Sequence, residues 1–295
     1  MYMRKDESGQ ALVLVLLSLA VVLTIVLFIL SRSVTDVSVS SGQAESVRAF
    51  SAAEAGIETA LVAGAGSNNI GDASYTASVS DFAEGTPNFN YPGSLISGDT
   101  MTTWFVAHDS SGNIICNTSL PCFTGNTLKV CWGNPGTSNG LVTTPAVEVS
   151  VYYEATPGDL STVRIARAAF DPNASRISSN SFVAVDAGTC SINGTAYEFQ
   201  KTITLSSLGI PESSYETQSG LILARIKLLY NTDIAHALAT NVVGIPISSL
   251  LPSQGQSIIS TGTAGQSNRR ISVFQGWPEF TFGGNSIYSP NSITK

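Results

Sequence analysis

The stretch Ala11–Leu30, ALVLVLLSLAVVLTIVLFIL, constrains this chain more than any other. Only Ser18 and Thr24 interrupt twenty residues, of which sixteen are Leu, Val, Ile or Phe. At about 1.5 Å per residue such a helix covers roughly 30 Å, the thickness of a hydrocarbon core. Sixteen large apolar residues at about −0.4 kcal/mol each favour insertion by about −6 kcal/mol. A secretory signal has a shorter apolar core and a small-x-small cleavage site, and SRSVTDVS after the run offers none. Arg4 and Lys5 precede the run, which predicts a cytoplasmic N-terminus and an external remainder; Arg32 opposes this weakly.

The helix does not stop at the apolar run. Residues 31–62 contain no proline, and Val47, Phe50, Ala53, Ile57 and Leu61 recur at spacings of three and four, which places them on one helical face. QAESVRAFSAAEAGIETAL is rich in good helix formers, and Gly64 and Gly66 supply a stop. One helix over residues 10–62 is therefore expected, dissolved in lipid at first and amphipathic after. SRSVTDVSVSSGQ is weak helix, so either a local unwinding or a straight helix held by its neighbours is expected there.

Charge excludes one class of partner. The 295 residues carry a net charge of −7 with only 12% charged residues, and the basic doublets are Arg4-Lys5 and Arg269-Arg270. Phosphate recognition needs clustered bases, so no nucleic acid partner is expected. The four cysteines, Cys116, Cys122, Cys131 and Cys190, form no C-x-x-C pair, and His108 and His236 lie far apart, which argues against zinc. Disulfides in an oxidising compartment fit better. Of three connectivities, Cys116–Cys122 closing a short loop with Cys131–Cys190 is favoured; buried thiols are the alternative.

Beyond Gly66, short alternating stretches are separated by Gly, Asn, Ser and Pro turns. Strands are predicted near residues 74–80, 102–108, 127–132, 146–154, 161–170, 181–186, 197–205, 221–230, 257–261 and 269–276, with a hairpin turn at Asp109–Asn113. The predicted class is α+β: a long N-terminal helix as spine, then a mainly antiparallel β region with an inserted β-sandwich. The helix is expected to pack on strands near 72–80 and 221–276. The insert is expected over 98–215, with Trp104 and Trp132 in its core and the Cys131–Cys190 bond bridging its sheets.

Candidate chemistry is sparse. His108, Asp109 and Ser110 stand in a row, but triads are assembled in space and a turn explains all three. DPNAS at Asp171–Ser175 and YNTD at Tyr230–Asp233 lack the dense alternating acids of a calcium loop. The Gly-rich pieces lack a following Lys and helix, so no phosphate cradle is expected. No catalytic, metal or cofactor site is predicted. Tyr152, Tyr153, Trp277, Phe280, Phe282 and Tyr288 are candidates for docking a sugar or protein, or for plain packing.

The basic leader ending in Gly9, directly before the apolar run, resembles the type III signal of type IV pilins and type II secretion pseudopilins. VRAFSAAEAGIETAL looks like the AFxAAEAxxxxA signature of PilX-type minor pilins, matched at Ala49, Phe50, Ala52, Ala53, Glu54 and Ala55. The resemblance covers about residues 4–65 and implies cleavage by a prepilin peptidase between Gly9 and Gln10, with methylation of the new N-terminus. It implies a leader over 1–9, a helix over 10–64, a linker and first sheet strand over 65–97, the insert over 98–215 and completing strands over 216–295. Implied partners are other pilin subunits through the helix, the peptidase, an inner-membrane assembly platform and membrane lipid before assembly, with an unidentified surface ligand. Major pilins carry Phe first and Glu fifth after the cut; Gln10 and Leu14 stand there, which implies a minor, low-copy subunit. The competing expectation is a monomeric signal-anchored adhesin or glycan-binding protein that keeps its leader.

Overall fold

The computed structural model describes residues 8–278, and side chains from residue 12. In chain order, helix α1 (Ser8–Ala63) is followed by β1 (Gly66–Ile70), β2 (Ala73–Asp81), β3 (Asn88–Asn90), β4 (Thr100–Trp104), β5 (Ala107–His108) and β6 (Ile114–Ile115). Next come β7 (Thr127–Trp132), β8 (Ala146–Glu154), β9 (Val163–Asp171), helix α2 (Ala174–Asn180), β10 (Val183–Ala184), β11 (Cys190–Ile192), β12 (Thr195–Tyr197) and β13 (Phe199–Thr204). Helix α3 (Glu212–Glu216), β14 (Leu221–Leu229), β15 (Leu238–Val243), β16 (Gly255–Ala264) and β17 (Ser267–Gly276) complete the described chain. An N-terminal helix long and apolar enough to cross a membrane thus leads into mainly antiparallel sheets. The described residues divide into two compact units: those up to Val79 with Ile258–Val273, and Ser80–Ser257 with residues 274–278.

In the first unit, α1 runs unbroken for 56 residues, so the serine-rich stretch at 31–43 does not unwind. Gly64, at φ +82, ends it by donating its amide to Ala60 O at 3.0 Å, a left-handed stop open to glycine at no steric cost. The sheet order is β1-β2-β16-β17. β16 alternates so that Ile258, Ser260, Gly262 and Ala264 are buried while their neighbours are partly open.

The packing face of α1 differs from the expected one. Ala49, Ala52, Ala53, Ile57 and Ala60 are buried with Ala73, Tyr75, Ala77, Ile258 and Ala264. Val47, Phe50 and Leu61, expected on the packing face, are 60%, 47% and 44% exposed. Glu54 is exposed as well. Residues 49, 53, 56 and 60 cluster within about a sixth of a turn, and the large apolar residues lie about a third of a turn further round. The physical reason is distance. A Cβ built at Gly262 would strike Ala49 O and Ala53 N, and one at Gly56 would strike Ser260 Oγ and the Tyr75 ring. Backbones this close leave space for Ala and Gly alone, so larger side chains are displaced to the flank. Tyr75 adds a 3.1 Å bond from its hydroxyl to Thr59 Oγ1, Glu45 accepts the Gln266 amide at 3.0 Å, and Arg269 reaches Ser46 Oγ.

In the second unit, a five-stranded sheet, β10-β9-β8-β14-β4, and a four-stranded sheet, β13-β7-β15-β3, contribute to one core. Every strand pairing in these two sheets is antiparallel except that of β10 with β9. Alternation along β8 buries Val147, Val149 and Val151, and β14 answers with Ala224, Ile226 and Leu228. Trp132 is fully buried and donates its indole to Pro145 O at 2.9 Å. Thr103 on β4 and Thr240 on β15, both fully buried, share a 3.0 Å hydroxyl bond that links the two sheets.

Three expectations are corrected here. The compact unit starts at Ser80 and reaches Ser257, not 98–215, because β14 and β15 pair with β8, β4, β7 and β3 instead of joining the sheet under α1. Nine-residue β14 can satisfy ladders on both edges only inside the larger sheet. Trp104 belongs to a separate cluster with Val106, Ala107, Cys122, Ile222 and Leu223, away from Trp132. The Cys131–Cys190 bond ties β7 to the small β11-β12 hairpin, not one large sheet to the other. Closing a loop of that separation, 59 residues, contributes about 4 kcal/mol by loop entropy, against about 2 for Cys116–Cys122.

Candidate functional site

The second unit contains a cleft of about 830 Å³ around His108. Its frame begins at β4. On the edge of β4 away from β14, the buried Gln254 takes the place of a neighbouring strand at Trp104. Its Oε1 accepts the Trp104 amide at 2.7 Å, and its Nε2 donates to Trp104 O and Pro252 O at 2.9 and 2.7 Å. The chain then forms β5 and turns at Asp109–Asn113, as the sequence predicts. Asp109 Oδ1 accepts the Ser111 and Asn113 amides at 2.8 and 2.9 Å, and Gly112 supplies φ +80. Cys122, bonded to Cys116, accepts the Ala107 amide at 3.3 Å and holds β5 in place.

His108 is buried between two indoles. Its ring meets Trp104 edge to face at 4.5 Å and stacks on Trp277 at 4.9 Å and 15°. Trp277 is itself held by a 2.9 Å bond from its indole to Ser253 O. Nδ1 of His108 is buried with no hydrogen-bond partner among the described residues. Burial pushes the imidazole pKa down to about 4, only partly opposed by the charge of Asp109. The cleft wall also carries Asp81 and Glu84. Burial and the neighbouring Asp81 raise the Glu84 pKa, and among the described residues no Lys or Arg lines the cleft.

These distances settle the row His108-Asp109-Ser110. The Asp109 carboxylate is occupied by its own turn, and His108 Nδ1 has no acid to orient it, so the three do not form a triad. Asp171 of the first calcium-like loop is fully buried and bound to Arg176 at 2.7 Å. Asp233 of the second accepts Thr143 Oγ1 and the Ile234 amide. The first stretch is the end of β9 leading through the Asn173 cap into α2, and the second is the irregular segment after β14. Gly9 and Gln10 lie in the first turns of α1, and residues 1–7 of the leader lie outside the described residues. Cys116–Cys122 and Cys131–Cys190 are the two disulfides, and no cysteine is free. Tyr153 is core, Tyr152 packs beside Trp104, and Phe280, Phe282 and Tyr288 lie outside the described residues. Gln254 was not legible: a lone Gln in a Pro-Ser loop carries no signal of a strand-mimicking role. No protein-family model, curated protein or solved structure matches this chain.

The depressed histidines predict the acid behaviour of this unit. His108 binds its proton near pH 4 when folded and near 6.5 when unfolded, so the unfolded chain holds more protons between these values. Stability contributed by neutral His108 is complete above about pH 6.5 and is lost progressively toward pH 4. His236, lowered chiefly by burial, adds in the same direction, because its Nδ1 accepts the Asn134 amide at 3.0 Å only while unprotonated. Thermal melts across this window should show the midpoint falling with acidification. A His108→Phe chain should show a shallower fall; an equal slope would contradict the assignment.

Proposed function

We propose that this chain is a non-enzymatic minor subunit of a type IV pilus or related filament, acting in assembly, at the tip or as surface decoration. The observation that carries this reading is the single 56-residue helix, apolar and exposed along its first half and fastened to a sheet by an alanine-glycine seam along its second. A membrane anchor alone needs about twenty residues. The additional turns have a use where helices leave lipid and bundle with those of other subunits, since burying an apolar face removes a large area from water. The exposed Val47, Phe50 and Leu61 are then contacts for neighbouring subunits. Gly9 and Gln10 serve the prepilin peptidase, Leu14 marks the absent pairing acid, and the N-terminus faces the cytoplasm before assembly. The second unit, with two sheets on a shared core, reads as a sandwich inserted into the helix-bound sheet, and its disulfides suit an oxidising exterior.

The intact mass of membrane-extracted protein tests this reading. Loss of residues 1–9, with a methyl group gained, is expected, together with the chain in sheared extracellular filaments. A Gly9→Ala chain should stay uncut and remain in the membrane fraction. Retention of the leader in the wild-type chain would favour the signal-anchored surface protein instead, a reading that draws on the His108 cleft.

A further inference from the structure

We propose that the cleft around His108 and Trp277 is a binding site for an uncharged saccharide, a short oligosaccharide or a chain end. Four observations carry it. The space, about 830 Å³, lies in the range of small-molecule sites, and its wall combines a few polar groups with an aromatic ring. Asp81, Glu84 and Asp109 line it with no Lys or Arg among the described residues of its wall, so an anionic ligand is disfavoured by charge. Ser110, Ser249, Gln218 and Gln256 contribute hydroxyl and amide groups able both to donate and to accept, the pairing that sugar hydroxyls require. Finally, His108 Nδ1 is buried without a partner among the described residues, in a residue only 7% exposed.

That orphan nitrogen is the most informative of the four. An unmet buried polar atom costs about 1–3 kcal/mol, and nearly all such atoms in folded chains find a partner. Here the imidazole is held between Trp104 and Trp277 in a position where rotation toward Asp109 brings nothing, because that carboxylate is occupied by its turn. Among the described residues nothing meets its hydrogen-bonding capacity. The imidazole is neutral at ordinary pH, so it adds no charge to the cleft. Trp277, half-buried at the wall, offers an apolar ring against which the C–H face of a sugar packs. A quaternary ammonium fits less well. It needs several open aromatic faces, whereas Trp104 is 2% exposed and one face of Trp277 is covered by His108.

The test uses the full chain in phospholipid nanodiscs. Lactose, maltotriose and chitotriose are titrated by saturation-transfer NMR and tryptophan fluorescence, with sialyllactose and tetramethylammonium as the charged comparisons. At least one neutral sugar is expected to saturate, with a Kd between about 1 μM and about 1 mM. Trp277→Ala should weaken it at least about tenfold, Trp277→Tyr should restore part of the loss, and His108→Phe should weaken binding with both disulfides and the melt above pH 7 retained. No saturable binding by any neutral probe, preference for tetramethylammonium, or wild-type affinity in both Trp277→Ala and His108→Phe would each overturn the proposal. The outcome is independent of leader processing, so either reading of the helix can fail while this one stands.

Discussion

Replacing Gly262 by valine is expected to release the sheet from the helix in the first unit. The added Cβ points at Ala49 O and Ala53 N, backbone atoms that no rotamer change can move aside. Overpacking a well-filled core costs about 1–3 kcal/mol, and clashes against backbone lie at the upper end or beyond. The small cluster of alanines with Tyr75 and Ile258 has little apolar area to offset such a loss. Hydrogen exchange of the full chain is the direct measurement. Amides of residues 255–264 and of Ala49–Ala60 should lose protection together, while β7, β8 and β14 keep theirs. Gly56→Leu should behave alike, since its side chain would meet Ser260 and Tyr75. Phe50→Ala, on the open flank, should leave exchange in this unit unchanged and, if the filament reading holds, weaken incorporation into filaments instead. Wild-type protection in Gly262→Val would refute the close-packed seam.

Asp171→Ala should produce the largest loss in the second unit. This carboxylate ends β9 fully buried, where it accepts Arg176 Nε and Nη2 at 2.9 and 2.7 Å, the Asn173 amide at 2.8 Å and Asn180 Nδ2 at 2.8 Å. Arg176 in turn donates to Val142 O and Thr144 O, both at 2.7 Å, and lies 4.1 Å over the Tyr230 ring. One acid thus ties β9, α2 and the loop before β8 together. Removing one partner of a buried ion pair costs about 3–5 kcal/mol because the other is left uncompensated. Arg176 retains slight solvent contact, 16% of its side chain, which places the loss near about 3 kcal/mol. For a unit of this size the melting point should drop by roughly 6–12 °C. Asp171→Leu combined with Arg176→Met should lose less than the sum of the single changes, since no buried charge is stranded. Additive losses would mean that the two side chains act separately.

Much of the fold was readable before any coordinates. Strong periodicity and the absence of proline marked α1 to within two residues of its observed start, and the strands β7, β8 and β14 coincide closely with their alternating stretches. Such patterns are local, and local patterns survive in any tertiary context. The cysteine pairing was legible for a related reason, because a short loop closes with the least entropy. The helix face was legible only in part: Ala53 and Ile57 are buried as expected, but periodicity weighs side chains by their apolar size and so added Val47, Phe50 and Leu61, which are exposed. Close backbone approach rewards the opposite choice, and it becomes visible only once Gly262 and Gly56 face each other's elements.

By itself the sequence determined a long N-terminal helix, its apolar half, the β character of the remainder and many of the turns, all consequences of interactions spanning a few residues. Tertiary structure decided which sheet β14 and β15 join and which helical face is hidden. It also placed Trp277 on His108, two residues far apart in the chain whose stacking leaves a buried nitrogen without a partner. The reason is the same in each case. Long-range pairing is selected by burial and fit summed over many residues, and no short stretch encodes that sum.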